Sequence, residues 1–186
     1  MILCYYTTAV SPESSLNVSP LNMVFTQRND ITFICGALGG PNNVFQWKMN
    51  GKIIGNDSML EVMDIDASSG GVYTCTVSNA AGRDSASTTL YVAPYIVTPL
   101  EEQTLTFNGS SINLACEADG FPLPTVSWDR NTTGVAASND SELIIPTVTF
   151  GQEGVYRCLA NVTINGVEYE DSDITTIIGE DDYYTL

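Results

Sequence analysis

Histidine is absent from this chain of 186 residues. Its absence excludes the Ser-His-Asp and Cys-His forms of nucleophilic catalysis and removes the commonest metal ligand. Four of the five cysteines belong to a repeated pattern, and the fifth, Cys4, has only apolar and tyrosine neighbours, which supply no cation to favour its thiolate. We therefore predict that the chain is not an enzyme, has no catalytic residues and uses no cofactor.

Basic residues are scarce. Only 6 lysines and arginines stand against 22 aspartates and glutamates, which gives a formal net charge of −16. Residues 1–93 hold seven acids and four bases, whereas residues 94–186 hold fifteen acids and two bases. Because there is no basic cluster, nucleic acid, heparin-like chains and anionic lipid are poor partners. A basic protein partner stays open, as does the alternative that the acids keep the protein soluble.

Long apolar segments are also missing. No apolar run approaches the ~20 residues that a membrane-spanning helix needs, and residues 1–10 are too short and too polar for a signal peptide. We expect the chain to be a piece of a longer protein, so that any signal or membrane anchor lies outside these residues.

The main feature that is present is a pattern that occurs twice. A cysteine is followed 12 positions later by a tryptophan and, roughly 30 positions beyond that, by Tyr-x-Cys. Around each cysteine and tryptophan, side chains of alternating character indicate strands with one buried side. The pattern predicts an all-β protein made of two similar sandwiches. Its members are Cys35, Trp47, Tyr73 and Cys75, then Cys116, Trp128, Tyr156 and Cys158.

Over nearly its whole length the chain resembles the immunoglobulin superfamily. The segment from Gly120 to Trp128 is similar to a loop and strand of the family's I-set, and the segment from Val77 to Gly82 is similar to its last hairpin. The resemblance implies two Greek-key β-sandwich domains in tandem, at residues 1–93 and 94–179, followed by an acidic tail at 180–186. It also implies one core disulfide per domain, formed by the cysteines of each repeat, with the tryptophan and tyrosine packed beside it.

Two details refine this prediction. The paired cysteines lie 40 and 42 positions apart, which is short for a variable-type domain, so we expect compact C2-like or I-like sandwiches of seven to eight strands. Asn50-Gly51 and Asn165-Gly166 predict tight hairpin turns. One feature departs from the family, because neither repeat has an evident arginine for the usual arginine to aspartate pair near the tyrosine corner.

Cysteine pairing and glycosylation motifs both favour an extracellular location. Disulfides persist outside the cell and are rare in the reducing cytosol. Unpaired Cys4 suggests a partner upstream, a free thiol or, as a weaker alternative, an intermolecular bond. Six asparagines fit the Asn-x-Ser/Thr acceptor motif, about twice the number expected by chance. They are Asn17, Asn56, Asn108, Asn131, Asn139 and Asn161.

Metal binding is only weakly indicated. Three groups of carboxylates have the oxygen ligands that calcium takes, but none has the spacing of an EF-hand loop. We expect no metal site, and we interpret the carboxylates near the corner as caps of turns. The groups are Asp64 with Asp66, Asp171 with Asp173, and residues 180–182.

Strand alternation indicates which side chains point outward from the predicted sheets. In the first domain we expect Gln46 and Lys48 to face solvent beside Thr74 and Thr76, on a sheet without a glycosylation motif. In the second domain Arg157, Leu159 and Asn161 face outward, and a glycan on Asn161 would cover them. We therefore predict a protein-binding surface at Gln46, Lys48, Thr74 and Thr76, although an ordinary solvent-facing surface stays an alternative.

The resemblance implies a function in recognition. We expect the extracellular, disulfide-bonded and glycosylated binding region of a cell-surface receptor or adhesion protein, one that binds a protein ligand or a second copy of itself. The extracellular region of a receptor tyrosine kinase, with the kinase outside these residues, is one form of this expectation. A structural I-set module of a filament protein and a secreted soluble regulator are the alternatives.

Overall fold

The computed structural model describes residues 23–37, 42–107, 109–131 and 136–180. The chain divides into two compact units, Met1–Val92 and Ala93–Leu186, called unit 1 and unit 2 below. Strands predominate in both units, and the described residues form no helix that is long and apolar enough to cross a membrane.

Unit 1 consists of two sheets. The larger has the order β1-β7-β6-β3-β4, in which β1 runs parallel to β7 and the other pairs are antiparallel. The smaller pairs β2 with β5 in antiparallel fashion. The strands are β1 Val24–Phe25, β2 Ile31–Ile34, β3 Val44–Met49, β4 Lys52–Gly55, β5 Met59–Val62, β6 Gly71–Asn79 and β7 Gly82–Ile96.

Unit 2 repeats this plan. Its larger sheet has the order β12-β11-β14-β15-β8, with β8 parallel to β15, and its smaller sheet pairs β13 with β9. β10 pairs with β7, whose last residues, 93–96, belong to this unit. The strands are β8 Gln103–Phe107, β9 Ile112–Ala115, β10 Ala118–Phe121, β11 Thr125–Arg130, β12 Ala136–Ser138, β13 Glu142–Ile145, β14 Gly154–Ile164 and β15 Val167–Glu180.

The core of unit 1 lies between its two sheets. A disulfide joins Cys35 to Cys75, and Trp47 beside it is fully buried. Phe33 stacks on Tyr73 with ring centroids 4.7 Å apart and lies 5.9 Å from the ring of Trp47. Closing a loop of this length by a disulfide stabilises a domain by about 4 kcal/mol, mainly by restricting the unfolded chain.

The core of unit 2 repeats the disulfide, the tryptophan and the tyrosine at equivalent positions. A disulfide joins Cys116 to Cys158, and Trp128 is fully buried. Apolar side chains from both sheets, as the alternation along the strands predicts, and from the loop after β13 surround these three residues. They include Ile112, Leu114, Leu143, Ile145, Val148 and Ile177.

A tyrosine corner closes each sandwich. The hydroxyl of Tyr73 donates to the carbonyl of Ser69 at 2.7 Å, and the hydroxyl of Tyr156 donates to the carbonyl of Gln152 at 2.8 Å. In both cases the acceptor lies four residues upstream, in or at the end of a short 3-10 turn. These hydrogen bonds tie the strand that carries the second cysteine of each unit to the turn before it.

The corner of unit 2 is also held by Arg130. Its guanidinium donates to the carbonyls of Gly151 and Glu153 and lies 5.7 Å from the centre of the Tyr156 ring. No arginine was evident for an arginine to aspartate pair at either corner, and in unit 2 Arg130 reaches the corner by donating to backbone carbonyls. Met49 occupies the equivalent position in unit 1, two residues after the core tryptophan.

An asparagine directly follows the tryptophan strand in both units. Asn50 and Gly51 both have positive φ, as a two-residue type I′ hairpin requires. The Asn50 side chain accepts the Val72 amide N–H at 2.9 Å and lies so close to Gly71 that a Cβ there would come within 2.6 Å of it. In unit 2, Asn131 likewise covers Gly154. The predicted Asn165-Gly166 turn also has positive φ at both residues.

Candidate protein-binding face

The outer side of the larger sheet of unit 1 contains all four residues that were predicted to bind a protein. Gln46 lies opposite Thr76 across β3 and β6, and Lys48 lies opposite Thr74. The hydroxyl of Thr74 is 2.8 Å from that of Ser87 on β7, which extends this surface by one strand. Period-two alternation from the buried Trp47 and Cys75 places all of these side chains on one side of the sheet.

The four residues differ in accessibility. Gln46, Lys48 and Thr74 are half-buried, whereas Thr76 has only 7% of its surface exposed. Thr76 therefore offers little contact area to a partner, although it points to the predicted side. Sequence periodicity gives the direction of a side chain, but neighbours on three adjacent strands decide how much of it solvent reaches.

The charge on this outer face differs from that of the rest of the chain. Its outward positions on β3, β4, β6 and β7 include two bases and no acid, in a protein with 22 acids and 6 bases. Several are hydroxyl-bearing, and Ile53 and Val72 are apolar with 54% and 44% of their surfaces exposed. These positions are Val44, Gln46, Lys48, Ile53, Val72, Thr74, Thr76, Ser78, Arg83, Ser85, Ser87 and Thr89.

One end of the face carries a glycosylation motif. Asn56 follows β4 directly and borders a groove of about 270 Å³ together with Gln46, Thr76 and Arg83. No strand of this sheet contains a motif, but Asn56 comes next to one end of the face because the chain leaves β4 alongside the first residues of β3. Lys48 and Thr74 do not line the groove, and we call these two with Ile53, Val72 and Ser87 the Lys48 patch.

The equivalent face of unit 2 has a different electrostatic character. Arg157 on β14 forms an ion pair with Asp129 on β11, and its Nε donates to the carboxylate at 3.0 Å. This hydrogen bond raises the pKa of the Arg157 guanidinium, so the arginine stays charged and its charge is neutralised within the protein. Asn161 is half-buried and donates to Glu168 at 3.2 Å.

Three of the carboxylates considered as calcium ligands have other contacts. Asp171 accepts the amide N–H of Ile96 at 2.8 Å, and Asp173 accepts that of Leu100 at 2.7 Å. Asp66 caps a 3-10 turn by accepting the amide N–H of Ser69 at 3.1 Å, and hydrogen bonds from Ser68 and Ser69 lower the pKa of its carboxyl group. Within the described residues, no three acids, cysteines or histidines are grouped as a metal site would need.

The remaining predicted residues fall into two groups. Asn131 and Asn139 are exposed at turns of unit 2. Three residues and most of the acidic tail lie outside the described residues. These three are Cys4, Asn17 and Asn108.

Comparison with known families identifies the fold. A family model described as an immunoglobulin domain matches residues 12–79 and 93–161, which is more than half of the chain. The chain therefore belongs to the immunoglobulin domain family, and the prediction of two tandem sandwiches of this kind is confirmed.

Three curated proteins illustrate the similarity. The chain is 25% identical over 206 residues to human Leucine-rich repeats and immunoglobulin-like domains protein 1, with 95% of this chain and 19% of that protein covered. It is 26% identical over 183 residues to mouse Neural cell adhesion molecule 1, with 83% of this chain and 16% of that protein covered. For human Roundabout homolog 3 the identity is 29% over 164 residues, with 76% of this chain and 12% of that protein covered. The chain spans less than a fifth of each relative.

Two solved structures have the same fold. The first four immunoglobulin domains of Dscam1 isoform 9.44 match with a TM-score of 0.66 at 19% identity, covering 96% of this chain and 48% of that one. The insect immune protein hemolin, whose structure is described as having implications for homophilic adhesion, matches with a TM-score of 0.62 at 21% identity, covering 95% and 48%. At these identities the similarity shows the fold alone.

Proposed function

We propose that this chain is the extracellular protein-binding region of a cell-surface adhesion molecule or receptor, and that the Lys48 patch of unit 1 is its contact surface. Family membership and the names of the relatives support the general role. The two buried disulfides support an oxidising, extracellular location. The proposal assigns no catalysis to these residues.

The observation that carries the choice of surface is the lack of acids on this face. In a chain of net charge −16, a surface with Lys48 and Arg83 and no carboxylate attracts an acidic partner, whereas most of the molecule repels one. Ile53 and Val72 add exposed apolar area beside Lys48, as is typical of the centre of a protein contact. We therefore expect an acidic protein surface as the partner, on a second copy or on a different protein.

The test uses the full chain, secreted from eukaryotic cells, in two assays. Beads coated with the chain report self-binding by aggregating, and a multivalent form of the chain is screened against a panel of purified ectodomains. In whichever assay gives binding, Lys48→Glu should weaken it by about tenfold, equivalent to roughly 1.4 kcal/mol, because it places a carboxylate against an acidic partner.

Arg28→Glu is the matched control. It makes the same change of charge in unit 1, at an exposed residue that lies between β1 and β2 and not on this face. Its binding should equal that of the unmodified chain. Equal losses in both variants, or no binding in either assay, would remove the support for this surface.

Narrower forms of the proposal are distinguishable by other measurements. A receptor tyrosine kinase would reveal a membrane span and a kinase domain in the sequence that follows Leu186, and a secreted regulator would reveal neither. A filament module would keep its core cysteines reduced and its asparagines unmodified, which mass spectrometry of native material would detect.

A further inference from the structure

The tripeptide Asn-Asp-Ser occurs at the same place in both units. Asn56 begins the copy that directly precedes β5, and Asn139 begins the copy that directly precedes β13. In unit 1 the carbonyl of Ser58 accepts the amide N–H of Cys35 at 2.8 Å, and in unit 2 the carbonyl of Ser141 accepts that of Cys116 at 2.9 Å. The two glycosylation motifs are therefore equivalent in structure as well as in sequence.

The buried tryptophan of each unit also anchors its motif. The indole N–H of Trp47 donates to the carbonyl of Asp57 at 3.0 Å, and that of Trp128 donates to the carbonyl of Ser141 at 3.3 Å. Because both indoles are fully buried, these bonds fix the backbone of the motif to the core. Asn56 and Asn139 are exposed at the first position of this fixed segment, where their side-chain amides are accessible to modification.

Both asparagines border an open groove next to the start of the tryptophan strand. The groove at Asn56 offers the amide of Gln46, the hydroxyls of Thr76 and Ser78, and the guanidinium of Arg83 as hydrogen-bonding groups. The larger groove at Asn139, about 630 Å³, combines the apolar Leu123 and Val126 with polar groups. Sugars have hydroxyl groups together with apolar faces, so linings of this mixed kind suit them.

The other two described motifs are used by the fold itself. Asn131 lies against Gly154, as Asn50 lies against Gly71 in unit 1, where no glycosylation motif is present. Asn161 donates its amide N–H to Glu168. Their asparagines are explained by packing and hydrogen bonding, whereas Asn56 and Asn139 have no such role among the described contacts.

We propose that Asn56 and Asn139 carry N-linked glycans whose first N-acetylglucosamine lies in the adjoining groove. The amide nitrogen forms a bond to C1 of the sugar, the C1–O bond to a lipid diphosphate donor breaks, and an amide proton leaves with the diphosphate. At Asn56 the sugar covers Gln46 and Thr76 and leaves the Lys48 patch open. This last consequence rests on the proposed function.

The first measurement is site occupancy in the full chain secreted from eukaryotic cells. Glycopeptide mass spectrometry should find glycan at Asn56 and Asn139 on the majority of chains, and at Asn131 on fewer. Unmodified Asn56 in the secreted chain would overturn the proposal.

The second measurement locates the sugar through Arg83. A dicarbonyl reagent modifies exposed guanidinium groups. Endoglycosidase trimming leaves one N-acetylglucosamine on the asparagine, and a second sample has the whole glycan removed. The rate of modification at Arg83 should be several-fold slower in the first sample than in the second. Arg28, which is exposed elsewhere in unit 1, should react at the same rate in both forms. Equal rates at Arg83 would mean that the sugar projects into solvent, which would contradict the proposed position.

Two variants separate the effect of the sugar from that of the substitution. Asn56→Gln and Ser58→Ala each abolish the motif through a different side chain, and both should give the fast Arg83 rate. The experiment needs no binding partner, so it can fail while the Lys48 patch still binds protein. Conversely, loss of the proposed function leaves the position of the sugar unchanged.

Discussion

The role of Arg130 in unit 2 leads to a quantitative prediction. Replacing Arg130 with Met, the residue at the equivalent position of unit 1, removes the hydrogen bonds to the carbonyls of Gly151 and Glu153 and the contact with the Tyr156 ring. Hydrogen bonds from charged groups contribute about 1.5–3 kcal/mol, and a partly solvated cation near an aromatic ring contributes about 0.5–1 kcal/mol. Since Arg130 is half-buried and water reaches part of this corner, we expect a loss of about 2 kcal/mol in the free energy of unfolding.

Two further variants test the reasoning. Arg130→Lys keeps the charge but cannot present a planar fork to two carbonyls, so it should restore less than half of the loss. Tyr156→Phe removes the hydroxyl that donates to Gln152 and should cost about 1 kcal/mol. Because Arg130 and Tyr156 hold the same corner, the double variant should show a coupling energy of about 0.5–1 kcal/mol.

Hydrogen exchange measured by mass spectrometry is the suitable assay, since it reports each unit separately. Peptides from β14 of unit 2 should lose protection in Arg130→Met, while peptides from β6 of unit 1 serve as an internal reference and should not change. Wild-type stability for Arg130→Lys would show that charge, not the fork of hydrogen bonds, holds the corner. A loss below about 0.5 kcal/mol for Arg130→Met would refute the assignment altogether.

Two other predictions concern the backbone and pH. Gly71→Ala should cost about 1–3 kcal/mol in urea unfolding, because φ is +152° and the new Cβ would lie 2.6 Å from Asn50, whereas Gly36→Ala meets nothing within 4 Å and should be nearly neutral. Similar urea midpoints for Gly71→Ala and Gly36→Ala would contradict this steric argument. Burial raises the pKa of both Tyr73 and Tyr156 above the ordinary value of 10.0. Their contribution to stability is therefore fully present below that pH and is lost as pH rises through the raised values, so the urea midpoint should fall under alkaline conditions. The fall of the urea midpoint should be smaller in the Tyr73→Phe variant than in the unmodified chain. An equal fall in both proteins would count against ionisation of Tyr73 as its cause.

The sequence predicts the fold well because the informative residues lie in the core. A cysteine, a tryptophan and a tyrosine at fixed spacing specify which strands meet across the sandwich, and alternation specifies which side chains enter it. The Asn50-Gly51 turn was predictable for a similar reason, since few residue pairs tolerate positive φ at two successive positions.

The surface was less predictable, because it depends on contacts between segments that are far apart in the chain. Asp173 caps the backbone of Leu100, 73 positions away, and no local pattern signals this contact. Arg130 lies at the end of β11 and contacts the corner because β11 pairs with β14, the strand that follows the corner. Its neighbours in the sequence resemble those of any strand end. The position of Asn56 beside Gln46 follows from the path of the chain after β4, which periodicity does not describe.

Comparison of the two units limits where an acidic partner can bind. Both arginines of unit 2 are used within the protein, since Arg130 holds backbone carbonyls and Arg157 is paired with Asp129. Residues 94–186 contain fifteen acids and no lysine. All four bases of the first half, in contrast, lie within the described part of unit 1, and two of them are on a face without acids. Long-range electrostatics would therefore favour unit 1 over unit 2 for the acidic partner that we propose, and of the two basic positions on that face only Lys48 lies outside the groove beside Asn56.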